Sequence, residues 1–133
     1  MKLKGLTLAL VLSAGSVLSQ AATSIDDVIG SQLEAFNQRN VDDAWQYASP
    51  MIQRLFGNSR NFGAMVQNGY PMVWTNSVTE FLDRRDMGAR QIQRVLISDA
   101  EGVPHVLEYS MIETADGWRI DGVAILPAPE VGA

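Results

Sequence analysis

The chain has no cysteine and a single histidine, His105. Without cysteine there is no disulfide, no thiolate nucleophile and no lipid attached at a cysteine. The fold must therefore hold by its core alone, even in an oxidising space. One histidine, with no carboxylates at ligand spacing around it, makes no metal site, and no metal or cofactor is expected. A lone histidine at the start of a strand reads as a satisfied surface or edge residue. No GxSxG elbow is present, so a Ser–His pair has no support. Positive charge is scarce: ten Lys and Arg stand against fifteen Asp and Glu, for a net charge of −5, and the basic residues form no cluster. That balance gives no footprint for phosphate backbones, so nucleic acid and anionic membrane surfaces are not expected partners. Repeats, low-complexity segments and internal linkers are absent too.

Long apolar runs are limited to one, Gly5 to Leu18. It falls short of the roughly 20 residues a membrane span needs. Lys2 and Lys4 precede it, and Ser19-Gln20-Ala21 follows with small residues at the two positions a signal peptidase reads. Residues 1–21 are thus expected to be a cleaved signal peptide. Residues 22–127 follow as one domain and 128–133 as a disordered tail. Cleavage removes two of the ten basic residues and none of the fifteen acidic ones, leaving −7. The protein is expected in the periplasm or secreted, and not embedded in a membrane after processing.

What is present is a set of firmly ended helices. Ser24 is an N-cap, with Asp27 three residues on to complete a capping box and Asp26 beside it at the positive end of the dipole. Ile25, Val28, Ile29, Leu33 and Phe36 recur at helical spacing. Arg39-Asn40 closes this helix, with Asn40 as the left-handed residue. A second helix starts at Val41, with Trp45 and Ala48 on one face. In Ser49-Pro50 an N-cap precedes a proline whose missing N–H costs nothing at the first helical position. Gly57 ends that helix, and Asn58 or Ser59 caps the next, Phe62 to Asn68, whose Phe62, Met65 and Val66 face inward. Gly63 permits close packing. Gly69 is expected as a left-handed stop, with Pro71 preventing continuation. Glycines at helix ends, with no lysine near, are helix punctuation rather than a phosphate-cradling loop.

After Pro71 the period shifts toward alternation. Met72 to Thr75 and Thr79 to Arg84 are weak strand candidates; Gln91 to Ser98, Val103 to Ile112 and Trp118 to Leu126 are stronger. Asp99–Gly102 and Thr114–Gly117 each fit a type I turn closed by a left-handed glycine. If Asp99 pairs with Val103, then Arg94 faces Glu108 and Leu96 faces Val106 on one side of the sheet. Val95 faces Leu107, and Gln93 faces Tyr109, on the other. The second hairpin allows two registers, Glu113 with Arg119 or Met111 with Ile120. The buried set there is expected to be Trp118, Ile120, Ala124 and Leu126, with Arg119 and Asp121 solvated.

The stretches "QLEAFNQRNVDDAWQYASPMIQRLF" (32–56), "NFGAMVQNGYPMV" (61–73) and "DGWRIDGV" (116–123) resemble a bacterial family described as domain of unknown function 4864. With the intervening strands the resemblance covers nearly all of the chain after residue 21. The element order also resembles the nuclear-transport-factor-like, or cystatin-like, superfold. The resemblance implies an α+β cone in which N-terminal helices pack on a bent antiparallel sheet around a cavity. It brings no catalytic residues with it.

The acids mostly have structural explanations. Asp26, Asp27, Asp42 and Asp43 sit in first turns of helices, Asp99, Glu101 and Asp116 in turns, and Glu108 opposite Arg94. Asp121 and Glu113 remain as candidates for an inward carboxylate. Among aromatic and polar-tipped residues, Gln93 and Tyr109 are candidates for a ligand contact on the concave face, with Tyr70, Trp74 and Trp45 as cavity wall. The leading expectation is a non-enzymatic exported domain that binds a small apolar ligand or a protein partner. An isomerase or dehydratase using an inward carboxylate and Tyr109 is the alternative. A structural envelope accessory, acting as a homodimer through the outer face of its sheet, is a third reading.

Overall fold

The computed structural model describes residues 23–127, so the expected signal peptide and the tail after residue 127 lie outside the described residues. Among the described residues five helices come first: α1 (Ile25–Asn37), α2 (Val41–Trp45), α3 (Pro50–Phe56), α4 (Ser59–Gly69) and α5 (Pro71–Trp74). Four strands follow as an antiparallel meander in sequence order: β1 (Val78–Asp86), β2 (Arg90–Ser98), β3 (Pro104–Thr114) and β4 (Gly117–Ile125). The class is α+β, in an arrangement consistent with a cone. Among the described residues no helix is long and apolar enough to cross a membrane.

Local chemistry sets the helix ends. Ser24 and Asp27 exchange both bonds of the capping box at α1. Its stripe Ile25, Val28, Ile29, Leu33 and Phe36 is buried to 3 % exposure or less. Ser49 caps α3 by accepting from the Ile52 amide, with Pro50 at the first position and Gly57 at φ 86 closing the helix. Asn58 caps α4 through the Asn61 amide. At Gly63 a Cβ would stand 2.7 Å from Val41 Cγ1, so a side chain there would push α2 away from α4.

Three helix-end expectations are corrected. Arg39, not Asn40, takes the left-handed conformation, at φ 57. Its guanidinium donates to the Phe36 and Trp74 carbonyls and lies 4.3 Å from the centre of the Trp74 ring. Asn40 is instead the N-cap of α2. Gly69 has no positive φ: α4 ends at Tyr70, and Pro71 starts α5 rather than merely stopping α4. Residues 72–75, expected as a weak strand, therefore lie in α5 and its C-cap. Pro71 suits a first helical position as well as it suits a stop.

The β2–β3 register is as expected, with Gln93 opposite Tyr109, Arg94 opposite Glu108, Val95 opposite Leu107 and Leu96 opposite Val106. Gly102 closes the turn at φ 83, and its amide bonds the Asp99 carbonyl. In the second hairpin Met111 pairs with Ile120, but Ser110 pairs with Gly122, leaving Asp121 as a bulge. The bulge reverses the facing beyond it. Ile120 is buried as expected, whereas Ala124 is exposed opposite Glu108, and Val123, opposite Tyr109, packs against the core instead. Trp118 and Leu126 are only half-buried. Asp121 is not solvated: its side chain is 9 % exposed, takes Ser49 Oγ at 2.6 Å and pairs with Arg90 at 2.8 Å.

Residues 47–49 dock on β4 through a parallel bridge between Ala48 and Ile120. The Ser49 amide donates to the Ile120 carbonyl, and the Ile120 amide to that of Tyr47, each at 2.8 Å. This fixes the start of α3 beside the sheet. Asn76 does similar work at the other side of the domain. Its Nδ2 donates to the Leu33 and Val73 carbonyls and its Oδ1 accepts from Asn37, joining α1 and α5 to the start of β1.

Candidate functional site

Helix α3 buries no residue fully, although Ile52, Leu55 and Phe56 are apolar. It is held by the Ser49 cap on β4, by Gln53 Nε2 donating to the Trp45 carbonyl and by Asn61 Nδ2 donating to the Phe56 carbonyl, and its apolar side chains border a cavity of about 260 Å³. The opposite wall is Phe62, Met65 and Val66 of α4 with Tyr70 and Val73. Gln32 and Phe36 of α1, Tyr109 of β3 and Ile120, Gly122 and Val123 of β4 complete the lining. Leu55 is 67 % exposed. It touches both cavity and solvent, which marks the α3 side as the mouth. Phe62 sits at the centre of the aromatic wall, 5.9 Å from Phe36, 5.5 Å from Trp45 and 6.1 Å from Phe56 between ring centres.

Of the five residues singled out for a ligand contact, Tyr109 and Tyr70 line the cavity. Trp45 and Trp74 stand behind it: Trp45 packs edge-on against Phe62, and Trp74 lies 5.9 Å from Phe36 under the Arg39 guanidinium. Gln93 is buried opposite Tyr109, but its amide is spent on the sheet. In β1, Leu82 and Asp83 together oppose one residue of β2. Gln93 Nε2 donates to the Leu82 and Arg94 carbonyls, and Oε1 accepts from Arg84 Nε at 2.7 Å. Gln93 therefore clasps a bulge and presents no free polar atom to a ligand. The sequence shows no bulge at Leu82–Asp83, so its two-faced role was not readable there.

The hydroxyls of the two tyrosines differ. Tyr70 donates to the Val123 carbonyl at 2.9 Å. Tyr109 is 1 % exposed, and its hydroxyl has no hydrogen-bond partner among the described residues. Burial, and secondarily the nearby Tyr70, raise the Tyr109 pKa well above the usual phenol range, so it stays neutral. Gln32, buried in the wall, donates from Nε2 to the Ala44 carbonyl.

No Asp, Glu or His is among the lining residues. Asp121, one of the two carboxylate candidates, lies between two lining residues, but its oxygens take Ser49 and Arg90. Glu113, the other, is exposed opposite Trp118. His105 is half-buried at the start of β3, with Nε2 3.1 Å from Asp99 Oδ2. No group of three metal-ligating side chains occurs among the described residues. Sequence reasoning placed Phe62, Met65 and Val66 inward but missed Ile52, Leu55 and Phe56 as wall. The signal was the apolar content of a seven-residue helix with nothing assigned to cover it.

The fold and site together define a small α+β domain with one end of its core hollow. The chain belongs to the family described as domain of unknown function (DUF4864), whose model matches residues 18–133. No curated protein and no solved structure matches it.

Proposed function

We propose that this is an exported, non-enzymatic binding domain that holds one small apolar molecule in the cavity under α3. The observation that carries the reading is the cavity itself. Ile52, Leu55, Phe56, Phe62, Met65 and Val66 surround space where a packed core would bury them against one another. Single-domain interiors seldom keep such room, since lost packing contacts are destabilising. An engineered apolar cavity of ~150 Å³ accepts benzene. By that ratio, this one takes about ten non-hydrogen atoms. The lining carries no carboxylate or imidazole to move a proton, which favours binding over the isomerase or dehydratase alternative. Export rests on the order of residues 1–21, and the family match, which starts at residue 18, leaves most of that segment outside.

Tetralin, a ten-carbon hydrocarbon, tests the cavity. Titrated into the protein, it should shift the amide resonances of Ile52, Phe56, Val66 and Val123. In Val66→Phe, which fills the space, those shifts should vanish while the fold is kept. Shifts spread over the outer face of the sheet, or unchanged in Val66→Phe, would overturn the reading. Intact-mass measurement of the native protein checks export: retention of residues 1–21 would reject it.

A further inference from the structure

The geometry points to an uncharged ligand with one acceptor oxygen, of ketone, aldehyde or ester type, that receives the Tyr109 hydroxyl hydrogen bond. This rests on the cavity reading above and adds the chemical class of what fills it. A buried hydroxyl without a partner is uncommon in folded proteins, because its lost hydration is not replaced. Here the one such atom among the described residues belongs to a side chain that borders the cavity. The other side-chain donors there are engaged. The Tyr70 hydroxyl holds the Val123 carbonyl, Gln32 Nε2 holds Ala44, and Gln93 is bound into β1 and β2. The wall thus contains one unpartnered O–H, on a side chain that borders the cavity.

Charge is excluded by the same wall. No Arg or Lys lines the cavity to neutralise an anion, and no carboxylate to neutralise a cation. Arg90, on the adjoining strand, is already paired with Asp121. A ligand carboxylate would enter without a counter-ion, whereas a neutral carbonyl meets the hydroxyl and leaves its hydrocarbon to the aromatic wall.

The test is a matched pair, tetralin and 1-tetralone, which differ by one carbonyl, with 1-naphthoate as a charged counterpart. The protein should bind 1-tetralone roughly ten-fold more tightly than tetralin, the ratio that one net hydrogen bond of ordinary strength produces. Tyr109→Phe should erase that preference while still binding tetralin. 1-Naphthoate should bind more weakly than either. In case the variant does not fold, the carbonyl stretch of bound 1-tetralone gives an independent reading in the parent protein. It should fall below its position in hexane, as for a hydrogen-bonded ketone. Equal binding of tetralin and 1-tetralone, or an unshifted carbonyl stretch, overturns the hydrogen-bond role and leaves the cavity reading intact. Tighter binding of 1-naphthoate overturns the uncharged class. If neither neutral probe binds, the cavity reading fails and this one with it.

Discussion

Leu107 and Tyr109 stand two residues apart on the same face of β3, and both are essentially inaccessible to water. Leu107 belongs to the filled part of the core, with Val28, Ile29, Val95 and Ile97, none of which borders the cavity. Tyr109 borders the hollow part and keeps a hydroxyl with nothing to bond. One strand thus carries a packed residue and a waiting one about 7 Å apart. The helices differ as well, although Gln32 and Phe36 of α1 also reach the cavity. Helix α1 presents a continuous stripe that is buried along its length. Helix α3 buries no residue fully. Low exposure alone does not distinguish packing from enclosure.

The largest expected effect is at the filled end. Leu107→Ala should cost about 2–5 kcal/mol, a large share of the ~5–15 kcal/mol such a domain has. No disulfide can compensate, since the chain has no cysteine. The thermal midpoint should fall by roughly 4–8 °C per kcal/mol. A drop of only a degree or two would mean that this end is not packed as described. Next comes the hinge between the two ends. Ser49 Oγ accepts from the Ile52 amide and donates to Asp121, and the residue is fully buried. Ser49→Ala removes both bonds, and loss of a cap costs about 0.5–2 kcal/mol. Because Ser49 also seats α3 over the cavity, the variant should bind tetralin more weakly than its stability loss alone explains. Unchanged affinity in Ser49→Ala would detach α3 from the site.

The sequence made the filled end far more legible than the hollow one. Alternation, opposite charges at Arg94 and Glu108, and a glycine-closed turn all demanded one β2–β3 register, which is the observed one. The α1 stripe was readable because one period ran through all its apolar positions. Bulges broke the reading elsewhere. Asp121 inserts one residue into β4, so Ala124 turns out and Val123 turns in, and no residue pattern announces it. Leu82 and Asp83 do the same in β1, which turned Gln93 from a ligand candidate into a clasp. Pro71 was ambiguous in principle, because one ring both ends a helix and begins another. Tyr109 was found through its register opposite Gln93, yet its lack of a partner is a fact of three dimensions that pairing cannot supply.

At the hollow end, Tyr109→Phe should leave the ligand-free protein as stable as the parent or up to about 1 kcal/mol more stable, since it removes a buried hydroxyl that nothing satisfies. That is opposite in sign to Leu107→Ala on the same strand face. A midpoint lowered by several degrees would show that the hydroxyl is satisfied in solution, and the contrast between the two residues would disappear.

The smallest expected effect lies outside both ends, in the β2–β3 turn, and is a dependence on pH. The Asp99 carboxyl is held below its ordinary value of 3.8, chiefly by the Val103 amide, then by the His105 side chain and the Glu101 amide. Burial acts the other way, by more than the Glu101 amide contributes. A carboxyl with a depressed folded-state pKa contributes stability above the unfolded value and loses it as pH falls through the folded one. The contribution should therefore be complete at neutral pH and disappear only below 3.8. Asp99→Asn keeps an oxygen to accept from the Glu101 and Val103 amides, which Asp99 Oδ1 now takes at 2.9 Å each, so the turn should survive. What it removes is the titrating charge beside His105. Thermal midpoints measured from neutral pH downward should fall less steeply for Asp99→Asn than for the parent, with the difference confined to the acid end. Curves that stay parallel to the lowest pH would show that the turn is held by its backbone alone, and divergence already near neutral pH would show that the Asp99 carboxyl is not the group responsible.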